Sequence, residues 1–190
     1  MRVSLIATVK NEAQSLPGWL DSIAAQTRAP AEIVIVDGGS TDDTLAVLRA
    51  YAARLPLQVI AQPGANISQG RNSAIRAASG EIICSTDAGT RLDEHWVEEL
   101  VKPLEESDAK AEGGRQKAET VSSSFTRSVH PSSFVDVVAG FFLPDPVGVF
   151  ETALAATTLP ARQDIRPETF LPSSRSIAFR KAAWAKINGY

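Results

Sequence analysis

The chain has 190 residues, a formal net charge of −3 and one cysteine. At this length one domain with a sizeable core is expected, since roughly 70% of the unfolded surface is buried on folding. The slight negative charge, with no long Lys/Arg cluster, excludes nucleic acid as a partner, and the lone Cys84 inside an apolar run excludes an intramolecular disulfide.

Val3 to Val9 is apolar and β-branched and reads as a first strand. Its short apolar stretch and lack of a cleavage site do not make a secretory signal, and no window reaches a membrane span of roughly 18 to 20 apolar residues, so the expected location is cytoplasmic. Asn11 and Gln14 stand in N-cap and N3 relation, and Leu16, Leu20 and Ile23 recur at helical spacing, which predicts a helix to about Gln26. Glu32 to Val36 is a second strand. Ser40 caps the next helix, with Asp42 and Asp43 in its first turn and Leu45, Leu48, Ala52 and Leu55 as its buried stripe. Leu57 to Ala61 is a third strand. Ser68 to Ser79 is a small-residue helix, with Arg71 and Asn72 in its first turn and Gly80 as a left-handed cap. Glu81 to Thr86 is a fourth strand, and Asp93 opens a helix carrying Trp96, Val97, Leu100, Val101 and Leu104 on one face.

Beyond Glu106 the pattern is less regular. Ala111 to Val121 suits a short strand pair, Ser122 to Ser133 a Ser-rich loop, and Phe134 to Phe142 and Val147 to Thr158 two short helices. Ser173 to Phe179 reads as a strand and Arg180 to Ile187 as a helix closed by Asn188 and Gly189. Two readings stay open for the apolar stretch from Phe134 to Pro160: core helices packed on the sheet, or a surface in peripheral contact with a membrane or lipid acceptor. The expected class is α/β, a mainly parallel central sheet with helices on both faces.

Two of the strands end in an acid: the second runs into Asp37-Gly38-Gly39-Ser40 and the fourth into Asp87-Ala88-Gly89-Thr90. In open α/β sheets ligands bind beyond the strand tips. Such an Asp is also an ordinary cap or turn residue, so it is the pair that points to a site. The first strand-to-helix loop, Thr8-Val9-Lys10-Asn11-Glu12, has no glycine, which removes the G-x-G-x-x-G fingerprint of a dinucleotide-binding fold; the G-x-x-x-x-G-K-[ST] phosphate loop is missing as well.

The segments ATVKNE (Ala7 to Glu12), IVIVDGGSTDDT (Ile33 to Thr44), GRNSAIRAASGEI (Gly70 to Ile82), TDAG (Thr86 to Gly89) and FLPSSRSIAFRKAAWAKINGY (Phe170 to Tyr190) resemble the family 2 glycosyltransferases with the GT-A fold. The resemblance implies a Rossmann-like single domain over 1–190, with a nucleotide-binding half at 1–106 and an acceptor-side half at 107–190, incomplete at its C-terminal end. It implies a nucleotide-sugar donor of UDP or GDP type, an acceptor it does not name, and inverting transfer by a single displacement. Nucleotide-binding roles fall on Thr8, Lys10, Asn11, Glu12, Asp37, Gly38, Arg71, Asp87 and Ala88: Glu12 and Asp37 toward base or ribose, Arg71 toward base or diphosphate. Gly38 stands where many relatives carry a second acid.

The family usually has D-x-D where this chain has Asp87-Ala88-Gly89. A divalent metal, Mg2+ or Mn2+, with Asp87 as its ligand is the expectation; a weaker site and no metal are the alternatives that Gly89 leaves open. The family's catalytic base follows a Gly-Gly-Tyr-like signature, here Asn188-Gly189-Tyr190, so the base is expected outside this chain and the catalytic residue is unknown. Asp145, Glu151, Asp164 and Glu168 have the chemistry but not the context. The chain is then expected to be the donor-binding part of a longer protein, cytoplasmic, with peripheral membrane contact and membrane association of the full-length protein left open. The alternative is a nucleotide-sugar binding module that has lost catalysis.

Overall fold

Apolar runs at Val3–Val9 (β1), Glu32–Asp37 (β2), Leu57–Ala61 (β3) and Ile82–Thr86 (β4) pair in parallel in the order β3-β2-β1-β4. Near-continuous hydrophobic content is what a parallel strand covered on both faces requires. The computed structural model describes residues 1–112, 126–127, 135–140, 173–187 and 189. Beyond β4 the sheet changes direction: Ser176–Arg180 (β7) runs antiparallel to β4, followed outward by Val137–Ala139 (β6) and Thr126–Arg127 (β5).

Helices cover both faces, as expected. On one side Leu16–Ala24 (α1), Thr44–Tyr51 (α2) and Trp96–Glu112 (α4) pack over Leu5, Ala7, Ile33, Ile35, Ile82 and Cys84. On the other, Ile67–Ala77 (α3) and Lys181–Lys186 (α5) cover Ile6, Val34, Val36, Ile83 and Phe179. The alternation of Leu5 and Ala7 against Ile6 is the two-residue period of a strand sorting side chains between the two layers. Cys84 is a core residue: burial pushes its thiol up to about 12, so it stays protonated.

Several boundaries differ from the sequence expectation for local physical reasons. The N-cap of α1 is Ser15, not Asn11, because Asn11 adopts φ 56 and its side chain is engaged by Thr41. The N-cap of α2 is Asp43, while Ser40 bonds Asp37 instead. α3 starts at Ile67 behind an Asn66–Gln69 capping box, which leaves Arg71 past its first turn. Gly80 is not left-handed. It is needed for close approach, since a Cβ there would fall 2.4 Å from the Ser4 hydroxyl. Residues 111–112 belong to α4 rather than to a strand pair, Thr126–Arg127 is a strand inside the expected Ser-rich loop, and Val137–Ala139 is a strand where a helix was expected. Short strands of two or three residues have no readable period. The second expected helix, 147–158, lies outside the described residues.

The two halves of the sheet are joined through α4 and β7. Arg180 on β7 donates to both oxygens of Asp108 on α4 (2.7 and 3.1 Å) and to the carbonyls of Leu104 (2.8 Å) and Val135 (3.0 Å). Trp96 donates its indole N–H to Ser176 at 2.9 Å. Val135, Val138 and Ala139 are buried, while Asp136 is exposed and Val137 half-buried. Among the described residues no helix is long and apolar enough to cross a membrane.

At the amino end of the sheet Glu32 gathers β1, β2 and the turn before β4, accepting from the hydroxyls of Ser4 and Ser79 (2.8 Å for the latter) and from the N–H groups of Ser79 (2.6 Å) and Gly80 (3.1 Å). Burial pushes its carboxyl up, but these donors outweigh that and hold it below the ordinary value. A depressed folded-state value means that the stabilisation is complete above the ordinary carboxylate range and is lost as pH falls through the folded value. Glu32→Gln is expected to lose about 1–2 kcal/mol near neutral pH. Its stability should also fall less steeply on acidification than that of the wild type, as read by urea unfolding across the acid range; identical acid limbs would refute the assignment.

Candidate functional site at the carboxyl edge of the sheet

The carboxyl ends of β1, β2 and β4 lie side by side. Val9 is registered with Asp37 and Ile6 with Ser85, so that, two residues on from the second pair, Thr8 comes level with Asp87. With strands about 4.8 Å apart, both strand-end acids stand on one edge, on either side of β1. The chain turns to β2 on one side of β1 and later places β4 on the other, and such a switch point opens a crevice beyond the strand tips.

Asp37 turns back on its own loop. It is 2% exposed. Its carboxylate accepts from the N–H groups of Gly39 (3.1 Å) and Ser40 (3.1 Å) and from the Ser40 hydroxyl. The Ser40 oxygen accepts in turn from the Asn11 N–H at 2.9 Å. Asn11 accepts from the Thr41 N–H at 2.8 Å, the Glu12 N–H donates to Thr44 at 2.8 Å, and the Ala13 N–H donates to Asp42 at 3.1 Å. These cross-bonds make one unit of the loops after β1 and β2. They also explain the left-handed Asn11, which places its N–H and its side chain on the partner loop together.

A hollow of about 410 Å³ opens on this unit, lined by Asn11, Glu12, Gln14, Ser15 and Asp42. The Glu12 carboxylate accepts from the Ser15 hydroxyl there. The Thr44 hydroxyl, with backbone donors, holds Asp42 below the usual carboxylate range, so it is ionised. Asp42 therefore serves the loop ahead of α2; neither it nor Asp43, the N-cap, falls in the helix's first turn, where the sequence pattern places them, because the helix starts only at Thr44. Neither Asp37 nor Asp87 lines this hollow.

The remaining expected residues divide. Lys10 is exposed at the edge, and Thr8 is half-buried under α3, its hydroxyl 3.5 Å from the Ile67 carbonyl. Gly70 permits that approach, because a Cβ there would fall 2.4 Å from the Thr8 side chain. Gly38 is buried, and a Cβ on it would meet the Ala65 carbonyl at 3.1 Å, so a side chain there would press on the 62–65 turn. The Ala88 methyl packs in the core, which leaves only its backbone to face the crevice.

Asp87 and Arg71 form the charged centre. Arg71, from α3, is 8% exposed at its side chain; its Nη2 donates to Asp87 Oδ1 at 2.8 Å and its Nη1 to the Ser174 hydroxyl at 2.8 Å. The other carboxylate oxygen lies 3.2 Å from Nε of Arg175. The antiparallel register explains this contact: Thr86 pairs with Ser176, so the next residue on each strand, Asp87 and Arg175, face each other. Sequence reasoning missed Ser174 and Arg175. The available signal was the Ser173-Ser174-Arg175 run at the start of the strand that neighbours β4.

A hard divalent cation takes several oxygen ligands. Among the described residues one carboxylate, that of Asp87, is present here; both of its oxygens lie against guanidinium groups, and Ala88 and Gly89 add no oxygen side chain. Among the described residues no group of three His, Cys, Asp or Glu side chains converges. The described residues do not fit such an ion.

Residues 4–183 match Glycosyl transferase family 2, and the chain belongs to that family. It is 35% identical over 112 residues to the undecaprenyl-phosphate 4-deoxy-4-formamido-L-arabinose transferase of Serratia proteamaculans, a match covering 55% of this chain and 34% of that protein. The chain spans about a third of the length of the curated relatives it matches. Among solved structures, S. aureus TarS 1-349 in complex with UDP-GlcNAc is similar with a TM-score of 0.53 and 26% identity, over 57% of this chain and 32% of that one. The mannosyltransferase PcManGT from Pyrobaculum calidifontis, in complex with GDP-Man and Mn2+, is similar with a TM-score of 0.62 and 23% identity, over 100% of this chain and 47% of that one. The fold is thus the Rossmann-like GT-A type.

Because Asp37 is buried and accepts several bonds, its replacement strands the donors of the Gly39–Ser40 turn. Asp37→Ala is expected to lose about 2–4 kcal/mol and Asp37→Asn, which keeps one acceptor oxygen, about 1–2 kcal/mol. Equilibrium unfolding in urea measures both; a neutral Asp37→Ala would show that the turn does not depend on this carboxylate.

Proposed function

We propose that the chain binds a nucleoside-diphosphate sugar of the uridine or guanosine type in the crevice beyond β1, β2 and β4, as the donor side of a sugar transferase. The single observation that carries this reading is the arginine-held Asp87, level with Thr8 at the switch point of a family 2 chain. The Asn11–Glu12 hollow, lined by amide, hydroxyl and carboxylate side chains, offers oxygen acceptors of the kind that a base and ribose hydroxyls require. Asp37 acts there by fixing the Gly38–Ser40 backbone, a positioning role, and Asp87 faces the ribose side. The UDP-GlcNAc and GDP-Man named for the two solved relatives support the donor class.

In the transfer an acceptor hydroxyl oxygen attacks the anomeric carbon from the face opposite the diphosphate. The new C–O bond forms as the bond to the phosphate oxygen breaks, the electron pair leaves with the nucleoside diphosphate, and a carboxylate takes the acceptor's proton. On this reading 1–106 supplies most of the donor site and 107–190 the acceptor side, with Ser174 and Arg175 reaching back to the Asp87 cluster. The base is assigned to no residue here: Asp145, Glu151, Asp164 and Glu168 lie outside the described residues.

Calorimetric titration tests the donor class. UDP-glucose, UDP-GlcNAc and GDP-mannose, compared with ATP and NAD, should include at least one sugar nucleotide that binds with a Kd of about 1 mM or tighter, while ATP and NAD give no saturable heat. Equal binding of ATP or NAD, or silence from every sugar nucleotide, would overturn the reading.

A further inference from the structure

The leaving diphosphate needs a cation beside it, and the described residues form no site for a divalent ion. We infer that Arg175 supplies that cation, so that this chain binds its nucleotide sugar without a metal. The inference rests on the donor reading above and adds to it the group that neutralises the phosphates.

Three features of the Asp87 cluster support this. Two guanidinium groups lie against the two oxygens of one carboxylate, so a divalent cation approaching that carboxylate would meet like charge at close range. The two arginines differ in freedom. The Arg71 side chain is 8% exposed and is fixed by Asp87 and Ser174, whereas that of Arg175 is 65% exposed and touches Asp87 through Nε alone. Among the described residues the two terminal nitrogens of Arg175 make no hydrogen bond, so its planar fork remains for the paired oxygens of a phosphate. Its position is nonetheless defined, because the residue enters β7 directly opposite Asp87 and its N–H donates to the Ser173 hydroxyl at 3.3 Å.

Gly89 bears on the same point. It is exposed, and a Cβ there would meet nothing within 4 Å. An acid would fit in that space, so its absence is not imposed by packing. A carboxylate at that position would compete with the donor phosphates for the guanidinium of Arg175, which gives a physical reason for glycine once an arginine holds the cation's place.

The test is calorimetry on the full chain with UDP, GDP, uridine and guanosine, in EDTA and again in excess Mn2+, for the wild type, Arg175→Ala and Arg175→Lys. The preferred diphosphate should bind the wild type in EDTA within about threefold of its affinity in Mn2+. Arg175→Ala should weaken diphosphate binding on the order of 10- to 100-fold while leaving the nucleoside unchanged, with Arg175→Lys in between. Diphosphate binding that appears only with Mn2+, or an Arg175→Ala chain that binds as the wild type does, would overturn the inference and leave the donor reading standing. Failure of both diphosphates under every condition would overturn both. Circular dichroism of the variants guards against misfolding, which the exposure of Arg175 makes an unneeded explanation.

Discussion

A buried guanidinium held against a strand-end carboxylate is the contact on which the candidate site depends. Arg71 comes from α3, Asp87 from the tip of β4, and Ser174 from the turn into β7. One side chain therefore ties a helix on one face of the sheet to the seam between its parallel and antiparallel halves. A buried charge is expensive when alone and tolerable when paired and hydrogen-bonded. Removing Asp87 would take away the 2.8 Å contact that ties Arg71 to the tip of β4, so the pair locks the seam as well as marking the site. The close packing of Gly70 on Thr8 delivers Arg71 to that place, and a side chain at residue 70 would push the helix away from β1.

The second fixed element is the doubled loop built on Asp37. Its carboxylate holds the turn, the turn's Ser40 holds Asn11, and Asn11 holds Thr41. Backbone groups of two loops are thereby set before any ligand arrives, which lowers the ordering cost of binding. The two clusters have different chemistry: the Asn11–Glu12 side is rich in oxygen acceptors, and the Asp87 side in guanidinium. A nucleoside with a diphosphate has the matching polarity from one end to the other.

The parallel strands were legible because each is an apolar run long enough to show β-rich content, and the two acid-ended tips were legible because they end such runs. Family 2 membership was readable from short motifs, and the match over residues 4–183 supports it. Helix starts were less legible. Asn11 and Ser40 are good capping residues by type, yet each satisfies a partner on a neighbouring loop, a choice that local pattern does not reveal. Gly80 looks like a helix stop and is a close-contact residue. Strands of two or three residues, such as 126–127 and 137–139, carry too little pattern to read. Ser174 and Arg175 were missed for a different reason: their partners are far away in sequence, 103 residues in the case of Arg71 and Ser174, and only the antiparallel register of β7 on β4 brings them together.

The most direct test of whether the strand tips form one donor site is a 15N–1H correlation spectrum of the labelled chain titrated with its preferred nucleoside diphosphate. Convergence predicts saturable shifts confined to the amides of residues 8–13, 37–42, 70–72, 87–90 and 174–176, all with one midpoint. Shifts centred on the opposite edge, around Glu32 and Gly80, or separate midpoints for the Asn11 and Asp87 groups, would contradict it.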